Sequence, residues 1–170
     1  RAEHSLVDGQ YAERRASCEQ AARELGVATL REVPAIGLED HLAALSSDLL
    51  RRRARHVVTE IGRVETAVAA LRSGDFELLG EVLLESHASM RDDFEISVPE
   101  LDTAVEASVA AGALGARMTG GGFGGSAIAL LAASDAKEVQ RQVAQAFHDK
   151  GFRPPDSFLV TAAGAALRDA

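Results

Sequence analysis

The sequence predicts an α+β fold in which several helices pack on one face of a small, mainly antiparallel sheet. Three observations predict it. Apolar residues recur at helical spacing through most of the first 110 positions, five glycines crowd into 120–125 between two short apolar runs, and an amphipathic stretch and a last apolar run follow.

The first helix is expected over 10–25, where Tyr11, Cys18, Ala22 and Leu25 recur at helical spacing, with Asp8 placed to cap its start and Gly26 to end it. This spacing directs Cys18 inward. REVPAIGLED reads as a connection through Pro34 and Gly37, followed by a short helix over 38–45. Leu50, Ala54, Val57, Ile61, Val64, Val68 and Leu71 then alternate steps of four and three, the apolar stripe of a long helix closed by Gly74. Asp75 opens another helix whose inner face carries Phe76, Leu79, Leu83 and Met90, and His87 falls on that face.

In ISVPELDTAVEASVAAG, Ser97 stands as N-cap, Pro99 lies in the first turn and Glu100 follows three residues after the serine, which is the spacing of a capping box. Leu101, Val105 and Val109 form the buried edge of this helix. Gly112 and Gly115 break it, and ALGARMT reads as a strand. After the glycines, SAIALLAA reads as a buried strand. In SDAKEVQRQVAQAFHDKG, Asp135 and Glu138 have capping-box spacing, Val139, Val143 and Phe147 point inward, and Gly151 lies past the helix end. Pro154 and Pro155 make a linker, SFLVTAA is the last strand, and 1–6 offers a further one. Strand, loop, strand, helix and strand in that order form half of a ferredoxin-like split βαβ unit.

At 46% hydrophobic and 26% charged, the 170 residues suffice to bury a core as one globular unit, residues 1–170. The net charge of −8 sets up no field favouring nucleic acid or an anionic membrane. Of the basic residues, RRRAR at 51–55 is expected to be the solvated face of a helix. The single cysteine, Cys18, excludes an internal disulfide and suits a reducing compartment. No run approaches the ~20 apolar residues that cross a bilayer, and no basic-then-apolar signal opens the chain, so a soluble cytoplasmic protein is expected. The opening on Arg1, without an initiator methionine, reads as part of a longer polypeptide.

The stretch RMTGGGFGGSAIAL is the most informative. Each glycine costs roughly 0.5–1 kcal/mol against alanine in a regular element, so five together point beyond a simple turn, although a tight hairpin alone would also use Gly-Gly. Gly120, Gly122 and Gly125 match G-x-G-x-x-G, but the dinucleotide fingerprint opens a helix and here a strand follows. Gly120, Gly125 and Ser126 nearly match a phosphate-binding P-loop, but its lysine is absent. What remains is a bare hairpin that lets another chain segment, such as a glycine-rich loop holding a phosphate, come close to its backbone.

RMTGGGFGGSAIAL resembles the third motif of the GHMP small-molecule kinases, and SHASMRDDFEISVPELD is similar to the galactokinase version in particular. QYAERRASCEQAARELG and RARHVVTE resemble galactokinase segments in the same order, so the resemblance covers nearly the whole chain. It is to the C-terminal half of these enzymes. Their N-terminal half, with the Gly-Glu-His-x-Asp signature, the serine-rich phosphate loop and the aspartate treated as base, has no counterpart in these residues. One local departure is Ile61-Gly62, where an asparagine is expected after Glu60.

The resemblance implies the fold of a GHMP kinase C-terminal domain. It implies transfer of the γ-phosphoryl of ATP, with magnesium, to the anomeric hydroxyl of galactose, ATP and magnesium being held mainly by the N-terminal half. That half would be the main partner, and this chain alone would be inactive. The implied site residues are Tyr11, which would hydrogen-bond the sugar, and Gly120, Gly121, Gly122, Phe123, Gly124 and Gly125, which would pack beside the phosphate loop. A side chain at Gly121 or Gly122 would push that loop away. Two other readings stay open: a galactokinase-like sugar and nucleotide sensor without turnover, and a GHMP kinase acting on another small alcohol.

The remaining polar residues have plainer readings. His87 is expected as a satisfied core histidine, since Ser86 and Ser89 supply no third member of a triad. Asp92 and Asp93 are adjacent on a helix and diverge, so a salt bridge with Arg91 is expected in place of a shared magnesium ion. Arg117 is placed equally for a phosphate or an internal ion pair. His4, His41, His56 and His148 show no metal-ligand spacing.

Overall fold

The computed structural model describes residues 7–161 and residue 164. The strand expected at 1–6, His4 and the end of SFLVTAA lie outside them. Helix α1 (Val7–Glu24) begins at Val7, which places Asp8 within its first turn and not ahead of it as a cap. Gly26 ends it at φ +70°, where glycine has no Cβ to strain, and the Val27 amide returns to the Ala22 carbonyl. A capping box of Thr29 and Glu32 shapes the 3-10 turn Leu30–Glu32. Helix α2 (Leu38–Ala43) leads to the long α3 (Asp48–Ser73), capped by the Ser47 hydroxyl accepting from the Leu50 amide and closed by Gly74.

Helix α4 (Phe76–Asp92) starts where Asp75 accepts from the Leu78 amide. In helix α5 (Pro99–Ala110) the N-cap is Val98, so Ser97 stands one residue too early to cap, and no box with Glu100 forms. The Ser97 hydroxyl donates instead to the Asp102 carboxylate at 2.5 Å. Strands β1 (Gly115–Thr119) and β2 (Ser126–Leu130) pair antiparallel, with Met118 opposite Ala127 and Arg117 opposite Ile128. Helix α6 (Ala136–Asp149) follows, and Val139, Val143 and Phe147 are buried as its periodicity requires. Its Asp135 caps without a side-chain bond, while Glu138 pairs with Arg141.

Helices α4 and α5 pack on β1, α5 also meets β2 and α6, and α3 joins α4 to α1. This is the α+β arrangement expected of helices on a small antiparallel sheet. One apolar cluster joins α1, α2 and the start of α3 around Leu42, Leu45 and Leu50. A second holds Met90, Ile96, Leu101, Met118 and Phe123 beneath the glycine loop. The third secures α6.

Four further expectations are corrected. Among the described residues the sheet has two strands, and residues 157–161 of SFLVTAA form no strand, with Phe158 78% exposed. Strand β2 is largely exposed, not buried, because helices cover one sheet face alone, so Ala127 packs inward and Ile128 outward. The apolar stripe of α3 is buried at Leu50 and Ala54 but exposed at Val64, Val68 and Leu71, which lie past Val58, the last α3 residue of the cluster shared with α1 and α2. The RRRAR run is not a solvated face throughout, for Arg53 is 1% exposed. Its guanidinium donates to the Asp93 carbonyl and pairs with Glu95 at 2.6 Å. Cys18 is half-buried against the first cluster, and burial pushes its thiol pKa up.

Candidate functional site

Gly120 to Gly125 form the β1–β2 connection, and its glycines are not interchangeable. Gly122 is buried at φ +86°, and a Cβ there would lie 2.6 Å from the Ile96 Cβ and 2.7 Å from its carbonyl oxygen. A Cβ on exposed Gly121 would meet nothing within 4 Å. The pair treated alike in the sequence therefore divides: Gly122 serves packing inside this chain, and Gly121 presents bare backbone outward. Gly120, Gly124 and Gly125 also have positive φ, as does Phe123 at +59°. Phe123 holds that conformation because its amide donates to the Ile96 carbonyl at 2.7 Å and its ring is buried.

Residues 94–96 are the loop's support. Glu95 has φ +55°, uncommon for a residue with a Cβ. Three arginines hold it: Arg53 and Arg52 pair with its carboxylate at 2.6 and 3.3 Å, and Arg14 donates to its carbonyl at 2.9 Å. Hydrogen bonding from Arg53 lowers the Glu95 pKa. Arg14 also donates to the Phe94 carbonyl at 2.6 Å and lies 5.5 Å from the centroid of the Phe123 ring. Helix α1 is thereby tied to the glycine loop. Tyr11 is one helical turn before Arg14, on the same side of α1, and is 62% exposed among the described residues.

A second polar chain braces the same segment from below. The His56 ring stacks on Phe94 at 4.4 Å, and its Nδ1 lies 3.0 Å from the Ser89 hydroxyl, which donates to Asp93 at 3.0 Å. The serine proton is committed to Asp93, so it is His56 Nδ1 that donates to the Ser89 hydroxyl. Burial lowers its pKa to about 4. An unfolded histidine titrates near 6.5, so the folded state takes up the proton later than the unfolded one. The stability this supplies is complete above about pH 6.5 and is lost as pH falls toward 4, by on the order of 3 kcal/mol. Urea midpoints at pH 7 and pH 4.5 should therefore fall more steeply in the parent than in a His56→Gln variant; equal falls would refute this.

His87 is buried in the core as expected but is only half satisfied: Nδ1 accepts from the Met118 amide at 3.2 Å, whereas the buried Nε2, 3.3 Å from Asp102, makes no hydrogen bond. Burial lowers its pKa, against the opposing charge of Asp102. Arg91 pairs with Asp92, while Asp93 turns to Ser89, so the two carboxylates diverge as expected. Of the two readings for Arg117 the structure takes the ion pair, with Glu60 at 3.2 Å. Burial acts to raise the Glu60 pKa, but hydrogen bonds from Ser86 and Arg63 and the charge of Arg117 outweigh it and leave the pKa lowered. Gly62, at the departure after Glu60, has open space where a Cβ would stand. Among the described residues no group of three or more His, Cys, Asp or Glu side chains is arranged to hold a metal ion, and no helix is long and apolar enough to cross a membrane.

Sequence reasoning missed Arg14 and Glu95. The signal for Arg14 was its position three residues after Tyr11; for Glu95 there was none, since nothing marks a non-glycine residue for a left-handed conformation.

Comparison with known proteins places these features in context. The family described as GHMP kinases C terminal matches residues 67–149. A galactokinase of Streptomyces coelicolor is 52% identical over 167 residues, which is 97% of this chain and 43% of that protein. A galactokinase of Bos taurus is 49% identical over 146 residues, 85% of this chain and 37% of that protein. The crystal structure of Lactococcus lactis galactokinase complexed with galactose superposes with a TM-score of 0.84 at 36% identity, covering 89% of this chain and 40% of that one. The chain thus spans less than half the length of the relatives it matches.

Proposed function

With the chain belonging to the galactokinases of the GHMP kinase family and aligned with their C-terminal part, we propose that it forms one wall of an ATP-dependent galactose kinase site. The observation that supports this reading is that Arg14, one helical turn after Tyr11, joins α1 to the 94–95 carbonyls and the Phe123 ring of the glycine loop, which suits a phenol for the sugar beside a backbone for the phosphate side. Tyr11 donates or accepts a hydrogen bond at a galactose hydroxyl and fixes the ring relative to the loop. Gly121 leaves the loop flat enough for a phosphate-binding segment from the N-terminal half to approach, which Gly122, turned inward, does not do. The loop is suited to that approach because it offers exposed backbone without a side chain.

When bound, ATP supplies the phosphoryl group that goes to the anomeric hydroxyl, and magnesium accompanies it. The chain's residues contribute positioning, which accounts for much of catalysis in phosphoryl transfer. Its partners are galactose, ATP and the N-terminal half, and its setting is the cytoplasm.

The test is galactose-dependent ADP release by a polypeptide joining this chain to the N-terminal segment of its relatives, with the 170-residue chain as control. Turnover in the joined form alone is the expected result. Tyr11→Phe should raise KM for galactose roughly tenfold, the effect of losing one or two hydrogen bonds. Turnover by the chain alone, or ADP release indifferent to galactose, would overturn the reading; ligand binding without turnover would replace it with a sensor.

A further inference from the structure

We infer that Arg14 is a positioning residue that keeps the Tyr11 turn of α1 in register with the glycine loop, so that sugar and phosphate subsites are set by one side chain. For its catalytic consequence this rests on the function proposed above.

Arg14 is the only polar link between α1 and the 94–96 segment among the described residues, and it does not spend its charge on a buried carboxylate. Its side chain is 11% exposed, and its one ion pair among the described residues, with Glu13, is at 3.3 Å. Its Nε and Nη2 instead take two successive backbone carbonyls, Phe94 at 2.6 Å and Glu95 at 2.9 Å. A guanidinium fork can do this from one fixed orientation, whereas a lysine ammonium reaches as a single point. The second carbonyl belongs to a residue in a left-handed conformation, so Arg14 fixes the backbone where it is least inclined to stay. The next residue, Ile96, accepts from the Phe123 amide, and Phe123 lies beneath the same guanidinium. Moving Arg14 therefore shifts the loop support and the helix turn together, although Arg14 itself touches neither reacting group.

The experiment uses the joined polypeptide with Arg14→Lys, Arg14→Met, Tyr11→Phe and the double variant Tyr11→Phe/Arg14→Met. Amide hydrogen exchange at Phe123 reads the link directly. Kinetic constants for galactose and ATP read its consequence. Arg14→Met is expected to speed exchange at Phe123 at least tenfold and to raise both KM values roughly tenfold, the scale set by two charge-assisted hydrogen bonds. Arg14→Lys should fall between it and the parent, and keeps the test available if the methionine variant does not fold.

In the Tyr11→Phe background the Arg14→Met effect on galactose KM should shrink to below about threefold, because the phenol it positions is already absent. An undiminished effect in the double variant would overturn the inference, as would faster exchange with both KM values unchanged, which would make Arg14 a structural residue only. If the parent shows no galactose-dependent turnover, the function fails by itself. Exchange at Phe123 then decides the link, with unchanged exchange overturning it and faster exchange upholding it.

Discussion

Gly122→Ala is expected to destabilise the chain by about 2–4 kcal/mol while Gly121→Ala leaves its stability nearly unchanged. Two costs coincide at Gly122. The left-handed backbone at φ +86° penalises any Cβ by roughly 1–2 kcal/mol. That Cβ would also fall 2.6 Å from the Ile96 Cβ and 2.7 Å from its carbonyl oxygen, an overlap whose relief costs about 1–3 kcal/mol. Ile96 cannot simply move, because its carbonyl accepts from Phe123 and its side chain belongs to the cluster with Met118 and Leu101. At Gly121 nothing lies within 4 Å, so the chain itself tolerates alanine there. Urea denaturation of both variants measures the difference, and equal midpoints would contradict it. The same pair separates packing from function: Gly121→Ala should lower turnover in the joined polypeptide without lowering its stability, if the loop receives a phosphate-binding segment.

The second large effect is expected at the contact between α4 and β1. A Cβ on Gly80 would fall on the Leu114 carbonyl, and one on Gly115 would fall on the Gly80 carbonyl. Both obstacles are main chain, so no rotamer change relieves them. Gly80→Ala must therefore push helix from strand and open the layer that carries Met118 and His87, at about 3 kcal/mol or more. Gly62→Ala is the control. It too lies within a helix, but has nothing within 4 Å, and should stabilise by about 0.5–1 kcal/mol. Thermal unfolding of the two variants should thus move in opposite directions, and a stable Gly80→Ala protein would show that the close approach is not needed.

Much of the local architecture was legible because its causes are local. Asp75, Gly26 and Gly74 act through bonds and angles within a few residues, and each performs the expected cap or stop. The inward face of α6 follows from its period alone. Ser97 shows the limit: its spacing to Glu100 was right for a capping box, but Asp102 offered its hydroxyl a charged acceptor and the helix began one residue later. Val64, Val68 and Leu71 show another, for periodicity identifies an apolar stripe without saying how far along it a partner extends.

The candidate site was half legible. The glycine run declared itself by composition and Tyr11 by its resemblance to a sugar-binding tyrosine, yet both describe pieces without saying how they meet. The tie between α1, which carries Tyr11, and the segment that supports the loop depends on Arg14 and Glu95, 81 residues apart in sequence. By itself the sequence determined the helices, their stops, the glycine hairpin and the family, because these depend on short-range sterics, hydrogen bonding and motif. Tertiary structure alone decided that Arg53 is buried, that Gly122 turns inward while Gly121 stays bare, and that Glu95 is held left-handed by three arginines. The reason is physical: burial, charge pairing and close approach are set by distances between segments, and no local pattern carries those distances.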